Sequence, residues 1–388
     1  MRKRIFALIF VLLFVMTFFQ GCTKKSEIPE NIEDTKSLPE NTDKAGELMA
    51  KMSLSEKIYQ LMFVTPEAIT GIGTVIQAGE TTKNALSECP VGGIIYFSAN
   101  LKDASQTKEM IENTQSFSKI PLFIGVDEEG GIVSRLGANS AMGVTHHPPM
   151  KEIGNSKNAE KAYEVGKTLG TELSALGFNV NFAPVADVLV NEKNSVIGNR
   201  SFGTDPENVA DMVSATVKGM EENGVSATLK HFPGHGSTYS DSHTGYTASA
   251  RTIDELRKTE FIPFKSGISS GVDFIMAAHI TMVNATKDSL PATLSKEVIE
   301  GMLKNELGYK GIVITDAMNM GAIANEYTVE EATVKSIQAG CDMILMPKDL
   351  KIAHNALVAA VMSGEITEAR IDESVRKILE LKLEKGLL

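Results

Sequence analysis

Short apolar runs alternate with longer amphipathic stretches along this chain, beginning near residue 45. Each run is bounded by glycine, proline or polar residues and has the length of a buried β-strand. The eight runs span residues 60–64, 93–97, 122–126, 180–185, 227–231, 274–278, 312–315 and 343–346.

The stretches between these runs carry apolar residues at helical spacing. They predict helices over residues 104–117, 159–176, 206–223, 253–269, 296–306 and 329–339, and a final helical region over 351–362 and 368–385. A glycine follows five of these stretches, where it would end a helix before the next strand. These glycines are Gly177, Gly224, Gly271, Gly308 and Gly340.

Eight strands alternating with helices predict an α/β protein with a (β/α)8 TIM barrel, formed by residues 45–388 as a single catalytic domain. An open doubly wound sheet is the alternative on pattern alone. No glycine-rich dinucleotide fingerprint follows the first strand, since Gly71 and Gly73 form only a fragment of one.

The N-terminus has the features of an export signal. Arg2, Lys3 and Arg4 precede an apolar run over residues 5–19, which is shorter than a membrane-spanning helix requires. Residues 1–21 are therefore interpreted as a signal peptide. Gly21 followed by Cys22 resembles a bacterial lipobox, which implies cleavage before Cys22 and diacylglyceryl attachment to its sulfur.

Residues 22–44 are rich in proline, glutamate, asparagine and lysine, and this composition predicts a flexible tether. The protein is then expected to be exported and held at the cell membrane by its lipid, facing outside the cytoplasm. An uncleaved anchor or an ordinary signal peptide would also export it.

Charge and cysteine content narrow the possible functions. A net charge of −11 argues against nucleic acid as a partner. Cys89 and Cys341 lie far apart without metal-ligand spacing, and we expect free buried thiols. We expect no metal, no organic cofactor and a monomer.

Polar residues follow five of the predicted strands, and in a barrel these positions meet at one face. They are Asp127, Asp187, the pair Lys230 and His231, His279, and Asp316. From position alone, Asp316 is open to three interpretations: a nucleophile, a metal ligand or a helix N-cap.

Asp241 and His243 lie two residues apart, so in an extended loop both side chains face the same way. Such a pair suits general acid/base catalysis near neutral pH, although a surface loop with incidental polar residues has the same pattern. His231 and His235 have the spacing of two zinc ligands on a helix, but Pro233 and Gly234 between them exclude the helix. Together with Asp127, His279 and Asp316, they still leave a metal-dependent barrel hydrolase as an alternative.

Arg135, Arg200 and Lys230 would surround the site with hydrogen-bond donors. Such donors suit the hydroxyl groups of a sugar, and they suit phosphate or carboxylate equally well. Composition does not distinguish these ligands.

Five motifs occur in a characteristic order. They are Val-Asp-Glu-Glu-Gly-Gly at 126–131 with Arg135, Ile-Gly-Asn-Arg-Ser-Phe-Gly at 197–203, Lys-His-Phe-Pro-Gly-His-Gly at 230–236, Asp-Ser-His at 241–243 and Ile-Thr-Asp-Ala-Met at 314–318. With them the chain resembles glycoside hydrolase family 3, in its bacterial β-N-acetylglucosaminidase (β-N-acetylhexosaminidase) branch. The resemblance runs from about residue 45 to the C-terminus and favours a single-domain lipoprotein form.

The resemblance implies a retaining reaction through a covalent glycosyl-aspartate intermediate. Asp316 matches the nucleophile, His243 the acid/base and Asp241 its partner in a dyad. The residues matching those that hold the non-reducing sugar are Asp127, Arg135, Arg200, Lys230 and His231. Whether Glu128 or Glu129 contacts the sugar stays open at this point.

The implied substrate is a terminal non-reducing β-linked N-acetylglucosamine, on a muropeptide or another amino-sugar oligosaccharide. Export favours peptidoglycan fragments, and chitin fragments are the other source. A histidine acid/base also permits a phosphorylase, because an imidazole does not repel a phosphate dianion as a second carboxylate would. A β-glucosidase and a sugar-binding lipoprotein are further alternatives.

Overall fold

The computed structural model of the protein describes residues 43–239, 242 and 244–388. The predicted signal peptide, nearly all of the tether and the lipidation residue Cys22 lie outside this part of the chain, and so do Asp241 and His243. Within it the first helix begins at Lys44, one residue before the predicted boundary of the catalytic domain.

The described residues form twelve strands. They are β1 (Met62–Val64), β2 (Gly93–Ile95), β3 (Phe123–Val126), β4 (Glu128–Gly130), β5 (Val133–Ser134), β6 (Val180–Asn181), β7 (Ser226–Phe232), β8 (Ala248–Thr252), β9 (Phe274–Ala277), β10 (Thr281–Asn284), β11 (Ile312–Thr315) and β12 (Ile344–Leu345).

Eight of these strands form one parallel sheet in the order β11, β9, β7, β6, β3, β2, β1, β12. Each strand therefore pairs with the next sheet strand along the chain. A parallel bridge between Ile314 and Met343 joins the two ends, where the Thr315 N–H donates to the Met343 carbonyl over 3.1 Å. The sheet closes into a (β/α)8 barrel as predicted, whereas an open doubly wound sheet would keep two free edges.

All eight apolar runs overlap a barrel strand. The first begins too early, because Gln60 belongs to the preceding helix and the strand starts at Met62. In the fourth run, only Val180 and Asn181 form regular β-pairs with the neighbouring strands. Beyond them, a single β-bridge joins Val185 to Lys230.

The same part of the chain contains fourteen α-helices. They are α1 (Lys44–Met49), α2 (Leu54–Gln60), α3 (Pro66–Thr70), α4 (Glu80–Glu88), α5 (Ala104–Phe117), α6 (Met150–Asn155), α7 (Ala159–Ala175), α8 (Pro206–Glu221), α9 (Ile253–Lys258), α10 (Phe261–Ser269), α11 (Gly321–Ala324), α12 (Val329–Ala339), α13 (Leu350–Ser363) and α14 (Glu368–Glu384). Residues 297–306 form a π-helix where an α-helix was predicted.

The predicted helix over 253–269 is two helices. Thr259 leaves the helical conformation, with φ −136° and ψ −79°. Pro263 lies in the first turn of α10 and has no N–H to donate to residue 259, so a continuous helix would lose a hydrogen bond at this point.

Local sequence explains where several helices begin and end. Ser53, Thr252 and Thr328 each form a capping box with the glutamate three residues later. All five predicted end-of-helix glycines have positive φ, for example 95° at Gly177 and 113° at Gly340.

Aromatic side chains fill the barrel. Phe63 and Phe182 meet edge to face with ring centroids 5.2 Å apart, and both are fully buried. A Cβ atom on Gly93 or Gly125 would lie 2.7 or 2.8 Å from the Phe63 ring, so both strands need glycine there. Burying one such ring stabilises the fold by roughly 1.5–3 kcal/mol.

Helix α14 contacts residues that immediately precede barrel strands. The Lys377 ammonium lies 3.1 Å from Asp342, just before β12. The Lys385 ammonium lies 2.6 Å from Asp273, just before β9. Lys382 is fully buried and donates to the Gln60 side chain over 3.0 Å, two residues before β1. The helix therefore ties the N-terminal ends of three strands together.

In the part of the chain that the structure describes, no helix has the length and apolar character needed to cross a membrane. Cys89 and Cys341 are buried free thiols, which confirms the prediction for these two residues.

Candidate active site

A cavity of about 300 Å³ opens at the C-terminal ends of the barrel strands. Five predicted sugar-binding residues and the predicted nucleophile all line it. These residues are Asp127, Arg135, Arg200, Lys230, His231 and Asp316. The fold therefore brings all six side chains, from several strands and loops, to one site.

A buried ion-pair network forms one wall of this cavity. The Lys230 ammonium, at the end of β7, lies 2.8 Å from Asp127 and 2.6 Å from Glu129. Arg200 binds Glu129 through two parallel hydrogen bonds, each 2.8 Å long. This bidentate geometry fixes the plane of the guanidinium. The network holds its donors and acceptors in a fixed arrangement.

The network also fixes the charge state of Glu129. Burial by itself would raise the pKa of this carboxyl group, but the charges of Lys230 and Arg200 outweigh it and lower the pKa to about 2. For Lys230, burial would lower the pKa, and Asp127 and Glu129 reverse this and raise it. Glu129 and Lys230 are therefore both charged at neutral pH.

Glu128 points away from the cavity and organises the loop that carries Arg135. Its carboxylate accepts the N–H groups of Arg135 and Leu136, both over 2.7 Å, and that of Gly137 over 3.3 Å. It also accepts a hydrogen bond from the Ser134 hydroxyl. Of the two neighbouring glutamates, Glu129 thus lines the cavity and Glu128 orders the adjacent loop.

The Arg135 guanidinium lies over the Phe97 ring, 5.6 Å from its centroid. Its nearest carboxylate oxygen belongs to Asp127, at 3.9 Å. Its Nε atom is buried and has no hydrogen-bond partner among the described residues. Arg135 therefore has donor capacity left for a ligand in the cavity.

Asp316 follows β11 directly, and its backbone N–H donates to the Ala277 carbonyl over 2.9 Å. One carboxylate oxygen accepts the Ala317 N–H over 2.7 Å. The next helix, α11, begins only at Gly321 with Met320 as its N-cap residue, so the N-cap interpretation of Asp316 is wrong. A carboxylate held at a strand end and facing a cavity suits a nucleophile.

His231 is oriented by a residue that lies behind the cavity wall. Its Nδ1 atom lies 2.7 Å from Asp187, a carboxylate with no exposed surface. This contact leaves Nε2 facing the cavity side, 3.5 Å from Arg200. Burial would raise the pKa of Asp187, but His231 outweighs it and lowers the pKa.

Among the described residues, His231, His235 and His279 are not grouped as metal ligands. Both ring nitrogens of His235 contact hydroxyl groups, of Thr238 at 2.8 Å and of Ser242 at 3.2 Å. His279 contacts Thr293 and the Ala317 carbonyl, at 2.8 and 3.0 Å, beneath the site. Across residues 43–239, 242 and 244–388, no three His, Cys, Asp or Glu side chains are grouped as metal ligands.

Two residues of the candidate site were missed or left undecided at the sequence level. Asp187 was noticed as a strand-end carboxylate, but nothing in the sequence linked it to His231. Glu129 could not be separated from Glu128, because neighbouring residues in a strand point to opposite sides and the sequence does not say which faces inward.

The cavity balances its charges. Three carboxylates (Asp127, Glu129, Asp316) face three cations (Arg135, Arg200, Lys230), and each cation has a carboxylate oxygen within 4.0 Å. Such a site offers many oriented donors and acceptors without a large net charge. It suits a neutral polyhydroxylated ligand.

Known proteins of one family are similar to this chain. Residues 53–381 match the model of the glycosyl hydrolase family 3 N terminal domain. "Beta-hexosaminidase A" of Pseudoalteromonas piscicida is 34% identical over 322 residues, which cover 76% of this chain and 54% of that protein. "Beta-hexosaminidase" of Nitrosomonas eutropha is 32% identical over 332 residues, covering 82% and 93%.

A solved structure is similar as well, that of a glycoside hydrolase family 3 beta-N-acetylglucosaminidase from Paenibacillus sp.. It superposes with a TM-score of 0.81 at 40% identity, and the match covers 87% of this chain and 63% of that one. The chain thus spans about half of the Pseudoalteromonas protein, under two thirds of the Paenibacillus one and nearly all of the Nitrosomonas one.

Proposed function

The chain belongs to glycosyl hydrolase family 3, and on that premise we propose that it is a retaining exo-β-N-acetylglucosaminidase. It would remove terminal non-reducing β-linked N-acetylglucosamine from oligosaccharides. One observation supports this most directly: the Asp316 carboxylate shares a cavity with five polar side chains that can hold a sugar ring.

In the proposed reaction, an oxygen of Asp316 attacks the anomeric carbon while the bond to the leaving oxygen breaks. The leaving oxygen takes a proton from His243, and a covalent glycosyl-aspartate forms. A water molecule then attacks the same carbon and gives its proton to His243, which releases the sugar and restores Asp316. Asp241 would orient His243.

The roles of Asp241 and His243 rest on the family resemblance, because both lie outside the described residues. Their neighbour Ser242 supports the proposal. Its carbonyl accepts the Ala322 N–H over 3.0 Å, at the start of the helix that follows Asp316. Ser242 is thereby attached to the loop of the proposed nucleophile.

Hydrolysis is proposed ahead of phosphorolysis. This order rests on the predicted export signal at residues 1–21, because free phosphate is less assured outside the cell than inside it.

We further propose that the natural substrate comes from peptidoglycan, with chitin fragments as the alternative source. This proposal rests on the predicted signal peptide and lipidation at Cys22, which would place the enzyme at the outer face of the cell membrane. Labelling cells that express the wild type or Cys22→Ser with a radioactive fatty acid tests the anchor. Equal labelling of both proteins would contradict it.

The activity test uses p-nitrophenyl N-acetyl-β-glucosaminide with the chain lacking residues 1–22, beside the corresponding β-glucoside. We expect release from the acetamido sugar only, unchanged by EDTA and abolished by Asp316→Ala. Asp254→Ala, which changes an aspartate with a 76% exposed side chain, is the matched control.

Three outcomes would contradict the proposal. Release from neither sugar would overturn the glycosidase assignment, and release mainly from the glucoside would point to a β-glucosidase. Sugar 1-phosphate as the main product in phosphate buffer would make the enzyme a phosphorylase.

A further inference from the structure

Three buried polar side chains lie behind the cavity wall and are not assigned by the proposed reaction. Asp187, His235 and Ser242 have 0%, 2% and 1% of their surface exposed. Hydrogen bonds link them one after another. The Asp187 carboxylate accepts the backbone N–H of His235 over 2.6 Å, and the His235 ring contacts the Ser242 hydroxyl over 3.2 Å.

Asp187 holds two histidines at once. Besides the His235 N–H, it contacts Nδ1 of the cavity residue His231 at 2.7 Å and its backbone N–H at 3.2 Å. Both carboxylate oxygens are therefore engaged by these two residues. The orientation of the sugar-facing ring and the position of the His235 backbone depend on the same carboxylate.

The hydrogen bonds around His235 define its tautomer. The Thr238 hydroxyl donates to the His235 carbonyl over 3.0 Å, so its oxygen accepts from Nδ1 at 2.8 Å. The same oxygen accepts from the Asn194 amide at 3.2 Å. Nε2 then carries the lone pair that faces Ser242. Burial and the neighbouring His231 lower the pKa of His235, which favours this neutral ring.

Ser242 is held at two points. Its hydroxyl donates to His235 Nε2, and its carbonyl accepts the Ala322 N–H over 3.0 Å. The first contact connects it to the end of β7 and the second to the loop after Asp316. In the sequence, Ser242 lies between Asp241 and His243, the two residues of the proposed dyad.

We propose that Asp187, His235 and Ser242 are positioning residues that couple the sugar-binding His231 to the segment carrying the acid/base dyad. The inference rests on the proposed function, since it takes Asp241 and His243 as that dyad. Asp187 fixes His231 and the backbone of His235. The His235 ring then fixes Ser242, which sets where His243 meets the leaving oxygen.

A positioning role for these residues differs from a purely structural one because it affects a single chemical step, the protonation of the leaving oxygen. Protonation of the leaving oxygen contributes about 10²–10⁴-fold to rate when the acid is correctly placed, and an error near 1 Å removes much of this. A dinitrophenolate leaves without a proton, whereas the sugar oxygen of N,N′-diacetylchitobiose requires one. Displacing the segment should therefore slow these two substrates to different extents.

The experiment measures kcat/KM of Ser242→Ala on chitobiose and on 2,4-dinitrophenyl N-acetyl-β-glucosaminide. We expect a loss of about 10-fold or more on chitobiose and of less than about 3-fold on the dinitrophenyl glycoside. Ser237→Ala is the matched control, because this hydroxyl contacts Ser249 at 2.8 Å instead of His235. Its two kcat/KM values should fall by equal, small factors.

A double-mutant cycle tests the contact itself. If His235 acts through Ser242, then His235→Asn combined with Ser242→Ala should lose little more on chitobiose than His235→Asn alone. Ser242→Cys, which fills the same space with a weaker donor, repeats the measurement if the alanine variant unfolds. Asp187→Asn should also raise the inhibition constant for free N-acetylglucosamine, because it acts on His231 as well.

Equal losses on the two substrates, or additive effects in the cycle, would overturn the proposal. A wild-type enzyme inactive on both glycosides would instead refute the proposed function. The two failures are therefore distinguishable.

Discussion

The Lys230 ammonium lies 2.6 Å from a carboxylate oxygen of Glu129, and the two side chains are only 3% and 2% exposed. A charge pair so far from water is stable only if both partners stay charged and further bonds satisfy them. Arg200 and Asp127 supply those bonds. These bonds hold the side chains of the site in one arrangement, and four predictions follow from its geometry and from the contacts of α14.

Replacing Asp316 by alanine should reduce turnover of N-acetylglucosaminides by about 10³-fold or more, since the covalent step loses its nucleophile. Added azide should restore turnover by attacking the anomeric carbon from the vacated side, giving the α-glycosyl azide. Product analysis by NMR checks the anomer. A β-azide, or turnover within a few-fold of wild type, would show that Asp316 is not the nucleophile.

Replacing Glu129 by glutamine should lower the free energy of unfolding by about 3–5 kcal/mol at neutral pH, because Lys230 and Arg200 lose a buried partner. The effect should depend on pH. The pKa of Glu129 is about 2 in the folded protein against 4.5 for a free glutamate, so its contribution is complete above pH 4.5. It is lost as the pH falls toward 2.

Urea denaturation of wild type and Glu129→Gln between pH 7 and about 3 measures this difference. The gap between the two proteins should narrow as the pH falls. Glu80→Gln is the control, because its salt bridge to Lys83 has 78% of the glutamate side chain exposed. A gap that stays constant with pH would contradict the lowered pKa of Glu129.

Glu128→Ala should weaken substrate binding, because Glu128 orders the loop that carries Arg135. Three N–H groups and a hydroxyl lose their acceptor, so Arg135 is no longer held in place. We expect KM to rise about 10- to 100-fold, with kcat changing less. Glu172→Ala is the matched control, since Glu172 accepts the Thr145 N–H over 2.8 Å in an exposed loop. Similar kinetics for the two variants would refute the positioning role of Glu128.

Two lysines of α14 should respond oppositely to replacement by methionine. Burial lowers the pKa of Lys382 to about 7, and its amine contacts only the Gln60 amide oxygen and the Phe123 ring among the described residues. Lys382→Met should therefore stabilise the protein at pH 6, by roughly 1–4 kcal/mol. Lys385→Met should destabilise it, because Glu221 and Asp273 lose their partner.

The lowered pKa of Lys382 also predicts how the stability difference between wild type and Lys382→Met changes with pH. An unfolded lysine with a pKa of 10.5 binds a proton that the folded Lys382 releases above pH 7, so wild-type stability rises between these values. The advantage of Lys382→Met should shrink toward pH 10. Thermal denaturation at pH 6, 8 and 10 checks it, and destabilisation by Lys382→Met at pH 6 would contradict the lowered pKa.

Periodicity predicted most of the fold because each barrel strand is buried on both faces and reads as an apolar run. It failed where a backbone feature decides the structure. Pro263 divides one predicted helix, and the sequence pattern of residues 297–306 does not separate an α-helix from a π-helix. In the site, strand-end position predicted Asp127, Lys230, His231 and Asp316. Pairings between residues far apart in the sequence, such as Asp187 with His231, become visible only in the folded barrel.

The contacts of α14 also affect how the protein is made. Its lysines bind residues at the starts of β1, β9 and β12, and β12 itself pairs with β1. These strand ends therefore gain their α14 contacts only after α14 has left the ribosome. On the proposal that the protein is exported through a translocation channel, this order of synthesis leaves the barrel without these contacts while the earlier part of the chain is being made.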